Sequence, residues 1–148
     1  MLIIDSFRKP FGWLSNFSKT AITLDGITYP TLEHAFQAAK TDKIEDKAKI
    51  AATGNPVIVK RMGKKVKMKE NWNEVRLGVM RTLVDLKFQD ETLSEKLIAT
   101  EDATLIEGNH WHDNYWGVCN CKRCSNKEHA NHLGVILMEK RDQLKTVA

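Results

Sequence analysis

The sequence predicts a mainly α-helical domain of the α+β kind, with a small β-hairpin and short strands. Three observations predict it. Apolar residues recur at spacings of three and four through most of residues 31–145. Capping and stop residues punctuate those stretches. Alternation of apolar and polar residues is confined to the stretches around Asp25-Gly26 and 104–109. A chain of 148 residues and 16.9 kDa is read as one domain, 1–148, long enough to bury a sizeable core. Its 42% hydrophobic and 28% charged content is that of a soluble globular protein and argues against disorder.

The elements follow in order. In AITLDGITYP, Asp25-Gly26 predicts a tight hairpin turn, because both positions tolerate positive φ. Pro30 ends the second strand and Thr31 caps a helix whose apolar residues are Leu32, Ala35, Phe36 and Ala39. DKIEDKAKIAATG predicts a second helix, stopped at Gly54. Asn55-Pro56 opens a short third helix that ends near Gly63. The strongest helical pattern is NWNEVRLGVMRTLVDLKFQ, with Trp72, Val75, Val79, Leu83 and Leu86 in one stripe, broadened by Met80 and Val84. ETLSEKLIAT predicts a fifth helix and TLIEGN a short strand. NHLGVILMEKRDQLK predicts a closing helix with Leu133, Leu137 and Leu144 inward. The chain shows no internal repeat, low-complexity tract or linker.

No run approaches the ~18 apolar residues of a membrane span. The start MLIIDSFRKP lacks the features of a signal peptide, and with three cysteines the expected compartment is a reducing cytoplasm. The net charge of +4 is modest but uneven: KRMGKKVKMK, residues 60–69, holds six cations and no acid. Such a run is either a solvated helix end or an anchor for phosphate, on a nucleotide or a polynucleotide. It has little aromatic interleaving, so stacking on single strands is not indicated.

Two stretches carry candidate chemistry. On the first helix, Glu33, Phe36, Gln37 and Lys40 share one broad face, with His34 turned away from its centre. Glu33 and Lys40 lie two turns apart, roughly 10 Å along the axis, placed to touch opposite ends of a ligand. Pattern alone equally permits an exposed Glu and Lys flanking a buried Phe, and a structural His34. The second stretch, GNHWHDNYWGVCNCKRC, gathers aromatic and polar groups into an irregular segment. Trp111, Tyr115 and Trp116 could stack on a base or fill the core. Asp113 could activate water, or close an Asx-turn. Cys119, Cys121 and Cys124, with His129 or His132, make a candidate tetrahedral zinc site, free thiols being the alternative.

LSNFS, YPTLEHAFQAAK, RMGKK, KENWNEVRLGVM, DNYWGV and NHLGVILMEKR occur in this order across nearly the whole chain. As an ordered set they resemble the YbiA-like family, also called NADAR for its association with NAD and ADP-ribose metabolism. The resemblance implies a compact, mainly helical domain that cleaves N-glycosidic bonds. Its implied substrates are phosphoribosylamino-pyrimidine intermediates of riboflavin synthesis or ADP-ribosylated guanine, free or within nucleic acid. It carries over Glu33, Lys40 and Asp113 as catalytic residues, and Asn16, Phe17, Arg61, Trp72, Trp116 and Asn131 as substrate-binding residues. No cofactor is expected for catalysis, and a structural zinc on Cys119, Cys121, Cys124 and His129 is the expected variant of a loop that is glycine-rich in many relatives. Two other readings stand beside this one: a non-catalytic ADP-ribose or nucleotide sensor, and a zinc-stabilised nucleic-acid-binding domain.

Overall fold

The structure, a computed structural model, describes residues 2–147. In its first part the elements are β1 (Ile3–Ile4), a 3₁₀ turn (Gly12–Leu14), β2 (Ile22–Leu24), β3 (Ile27–Tyr29), α1 (Leu32–Ala38), α2 (Ile44–Ala52) and α3 (Pro56–Gly63). There follow α4 (Trp72–Lys87), α5 (Glu91–Ala99), β4 (Thr104–Leu105), β5 (Gly108–Asn109), β6 (Val118–Cys119), a 3₁₀ turn (Lys122–Cys124) and α6 (His132–Val147). The mainly helical α+β class is the one observed. No helix among the described residues is long and apolar enough to cross a membrane. The chain divides into two units: Asn16–Lys87, and the flanking segments up to Ser15 and from Phe88 onward.

In the unit Asn16–Lys87, β2 and β3 pair antiparallel with Thr23 opposite Thr28. Asp25 (φ 51°) and Gly26 (φ 83°) supply the positive φ that a two-residue hairpin turn needs. Thr31 caps α1 by accepting from the His34 amide at 3.2 Å. α1 packs against α2, α3, α4 and both hairpin strands, so every residue from Thr31 to Ala39 is buried. It is the central helix of its unit rather than a surface helix with one wet face. α3 opens as expected, with Asn55 Oδ1 accepting from the Val57 amide at 2.9 Å and proline next in line. α2 stops one residue earlier than its glycine suggests. Thr53 turns extended after Ala52, and its carbonyl meets His34 Nε2 at 2.6 Å. α4 buries Trp72, Met80, Leu83 and Val84 from the predicted stripe and leaves Val75, Val79 and Leu86 at its half-buried margin.

In the other unit, β1 pairs parallel with β4, Ile3 opposite Thr104. α6 packs on α5 and β4, burying Leu133, Ile136 and Leu137, whereas Leu144 is only half-buried. Arg141, buried on α6, donates from Nη1 to Ala103 O at 2.8 Å and Thr100 Oγ1 at 2.9 Å, closing the turn after α5. The single strand expected over 104–109 is two, because the Gly108 amide folds back on Ile106 O. β4 then serves β1, and β5 pairs parallel with β6.

Lys87 is 2% exposed at the end of α4, and burial pushes its pKa down to about 7. In the unfolded chain the ammonium keeps its proton to about pH 10.4. Between those values the unfolded state binds more protons, so folding stability rises with pH across the window. The expected result is a Tm that climbs between about pH 7 and pH 9, with a flatter slope in Lys87→Met. Equal slopes in thermal melts would show that Lys87 keeps its ordinary proton affinity.

Candidate active site

The polar side chains of α1 are buried, and each is held differently. His34, 0% exposed, is spent on structure: Nδ1 lies 2.7 Å from Thr31 Oγ1, and Nε2 meets the Thr53 carbonyl. Because a carbonyl can only accept, Nε2 carries a hydrogen and donates it there. The ring is therefore a clamp between α1 and the end of α2. Glu33 and Gln37, one turn apart, meet directly, with Gln37 Nε2 donating to Glu33 Oε1 at 2.9 Å. Gln37 Oε1 is buried with no protein donor. The backbone beneath is pinned too, the Glu33 amide donating to Asn16 O at 3.1 Å. Asn16 Nδ2 in turn reaches Met80 Sδ at 3.7 Å on α4.

Lys40 follows the cap of α1 and is half-buried, with Nζ 5.8 Å from the centre of the Phe36 ring. Burial holds its ammonium below the ordinary lysine range. Glu33 opposes that shift, whereas Lys60, Lys64 and Arg76 reinforce it. The result is an amine that gives up its proton more readily, beside one buried carboxylate and three further cations. Such a set suits an anionic ligand with an electrophilic carbon.

The other sequence-selected residues of this unit take different places. Phe17 is 38% exposed and offers a ring face. Trp72 is buried against Phe36, ring centres 5.2 Å apart, and so forms the wall behind the site rather than an open platform. Arg61 is exposed and is not among the charges that act on Lys40. The basic run divides. Lys60 and Lys64 serve Lys40, while Lys67 and Lys69 line a separate cleft of about 730 Å³ with Asp42 and Glu70. Arg76 escapes the sequence reading. Its signal is its position, one turn after Trp72 and one before Met80, on the face of α4 that carries both buried side chains.

In the other unit the loop 110–117 is organised by Asp113. Its Oδ1 accepts from the Trp116 amide at 2.9 Å and the Tyr115 amide at 3.1 Å, the Asx-turn role that the sequence left open. Asn109 braces it, accepting from the Asp113 amide at 3.1 Å and donating to the Asp113 carbonyl at 2.7 Å. Trp116, Tyr115 and His132 form an edge-to-face cluster. Asn131 (φ 49°) spends its side chain on the backbone, accepting from the Glu107 amide at 3.0 Å and donating to Leu105 O at 2.9 Å. The three cysteines come together, but the histidine that joins them is His112, not His129. His129 is exposed, with Nε2 3.0 Å from Cys124 O. Reading the ligands forward from the cysteines misses a partner seven residues upstream of the first.

A family model described as the NADAR domain matches residues 5–145. Among curated proteins, the N-glycosidase YbiA of Escherichia coli (strain K12) is 36% identical, over 94% of this chain and 85% of that protein. An N-glycosidase of Nostoc punctiforme is 32% identical, over 94% of this chain and 89% of its own length. A riboflavin biosynthesis protein of Vibrio vulnificus is 32% identical, over 90% of this chain and 36% of that longer protein. The NMR structure of the E. coli protein YbiA matches with a TM-score of 0.82 at 34% identity, over 98% of this chain and 86% of that one.

The geometry around Glu33 depends on a missing side chain. A Cβ on Gly63 would overlap the Gln37 side-chain amide. Gly63→Ala is therefore expected to lower Tm by several degrees despite alanine's better helix propensity. Adding Gln37→Ala should recover part of that loss. Additive effects in the double-mutant cycle would show that the two side chains do not compete for the same space.

Proposed function

The chain belongs to the NADAR domain family and shares hydrolysis of N-glycosyl compounds with curated relatives at 36% and 32% identity; on that premise we propose that it cleaves the C1′–N bond between a phosphorylated ribose and a nitrogen base. The observation that carries this reading is Lys40, an amine of lowered pKa beside Glu33 and ringed by Lys60, Lys64 and Arg76. The cations anchor the sugar phosphate. Glu33 stabilises the positive charge that develops at C1′ as the bond to nitrogen lengthens. Lys40 in its neutral form gives its electron pair to C1′ while the leaving nitrogen takes the C1′–N pair, and the proton released by Lys40 passes to that nitrogen. Water then adds to C1′, the lysine leaves with a proton from that water, and free sugar and free amine return to solution.

The remaining residues take supporting roles in this proposal. Phe17 stacks on the base, and Asn16 and Trp72 fix the wall behind Glu33; in the other unit Asp113 and Asn131 hold the loop that carries Trp116, whose ring is itself a candidate substrate contact. Arg61 extends the phosphate anchor outward. The match over 5–145 supports treating 1–148 as one NADAR domain. Two substrate classes suit the arrangement: phosphoribosylamino-pyrimidines of riboflavin synthesis and ADP-ribosylated guanine. The name of the Vibrio vulnificus relative supports the first.

The test is release of free base from each substrate class, followed by mass spectrometry. Lys40→Ala and Glu33→Gln are each expected to cut the rate by about a hundredfold or more, with Tm within a few degrees of wild type. The wild-type rate should rise with pH and level off below the ordinary lysine pKa. When the C1′–O4′ bond of the lysine adduct breaks, the lysine nitrogen forms a C1′=N imine and its proton passes to O4′, so borohydride added during turnover should reduce that imine and fix the opened sugar to Lys40. Full activity in Lys40→Ala would remove the amine from the mechanism, and tight binding without release by the wild type would make the protein a sensor.

A further inference from the structure

None of the steps above uses the cluster of His112, Cys119, Cys121 and Cys124, whose ligand atoms all lie within 4.8 Å of one another. His112 Nδ1 is 3.4 Å from Cys124 Sγ, 3.5 Å from Cys121 Sγ and 3.7 Å from Cys119 Sγ. A ring nitrogen offers one hydrogen or one lone pair, so it cannot bond three sulfurs at once. A tetrahedral zinc with Zn–S of about 2.3 Å and Zn–N of about 2.0–2.1 Å requires N···S edges of about 3.6 Å. The three edges bracket that value. All three cysteines are free of disulfides, and Cys119 and Cys124 are buried.

We propose that His112, Cys119, Cys121 and Cys124 bind one Zn²⁺ in a closed structural centre that staples the loop between β5 and β6. Four protein ligands fill the tetrahedron and leave no position for substrate or water, which separates it from a catalytic zinc. Thiolates select zinc over magnesium or calcium, and a cubane or rhombic iron–sulfur cluster would call for a fourth thiolate. On binding, each thiol releases its proton to solvent while His112 coordinates through the Nδ1 lone pair and keeps its proton on Nε2. Zinc and three thiolates leave a single negative charge, beside exposed Lys122, Arg123 and Lys127.

The local fold explains what the metal does. β5 and β6 are parallel, with Asn109 opposite Cys119, yet only residues 110–117 connect them. Parallel neighbours ordinarily need a connection of about a dozen residues or more. The short link is achieved by a tight reversal that puts His112 at φ 70°, an uncommon conformation for a residue other than glycine. A metal bond from that ring to Cys119, at the end of the link, pins the reversal. The same link contains Asp113 and Trp116, so the zinc fixes the residues that the Asx-turn orients. The inference rests on ligand geometry and stands whether or not the chain cleaves N-glycosyl bonds.

The experiment uses the untagged full chain, purified from zinc-supplemented cells. Elemental analysis should give one zinc per chain, and the three thiols should react with a thiol reagent only after chelation. Replacement by Co²⁺ should give the intense visible bands of a tetrahedral, thiolate-rich site, a readout that needs no variant. His112→Ala and Cys121→Ser should each weaken zinc binding by more than the roughly 10–100-fold that loss of an outer partner costs. His129→Ala should leave zinc content unchanged. A metal-free wild type with promptly reactive thiols would overturn the proposal. So would a pale octahedral cobalt spectrum, or loss of zinc from His129→Ala with retention in His112→Ala.

Discussion

A helix buried on every side must still find partners for whatever polar groups its sequence carries, and the arrangement of residues 16–87 follows from that demand on α1. His34 is held between a threonine hydroxyl and a carbonyl. Glu33 is met by Gln37, and the room for that contact comes from α3, which has no side chain at residue 63. Each solution draws in another element: α2 through Thr53, α3 through Gly63, α4 through Trp72 against Phe36. Burying polar groups without partners would cost more than the helix could return, so the packing around α1 is dictated by hydrogen bonds as much as by apolar area.

Lys40 is the exception to this economy of partners. It stands where burial and three cations all work against its charge, with Glu33 alone opposing them. Such surroundings disfavour the charged form of Lys40. The consequence is a division along one short segment: Glu33, His34 and Gln37 meet protein partners on α1, whereas the ammonium just past its cap faces mostly like charge.

The local signals were legible where local chemistry decides. Thr31 and Asn55 cap the helices assigned to them, and Asp25-Gly26 turns the hairpin. The ordered motifs pointed to a family whose model matches residues 5–145. What stayed hidden depends on distant partners. Strands of two residues, such as β1 and β6, have no periodicity to read. Seven residues of α1 cannot announce that all their sides are covered. Arg76 went unread on α4, because only its nearness to Lys40 marks it. Asp113 held two readings until its oxygen was seen on two backbone amides. His112 lay upstream of the sulfurs it meets, a direction in which the cysteine spacing does not point.

The parallel pairing of β1 with β4 also sets an order of events during synthesis. Residues 16–87 are contiguous, so that unit has all its parts as soon as Lys87 clears the ribosome. Ile3 must instead wait for Thr104, and at about 5–20 residues per second that delay is on the order of 5–20 s. Through that interval the apolar start of the chain, Leu2 to Ile4, has no strand to join. In that state residues 2–4 are an unpaired apolar segment, while the central helix of residues 16–87 already has its neighbours.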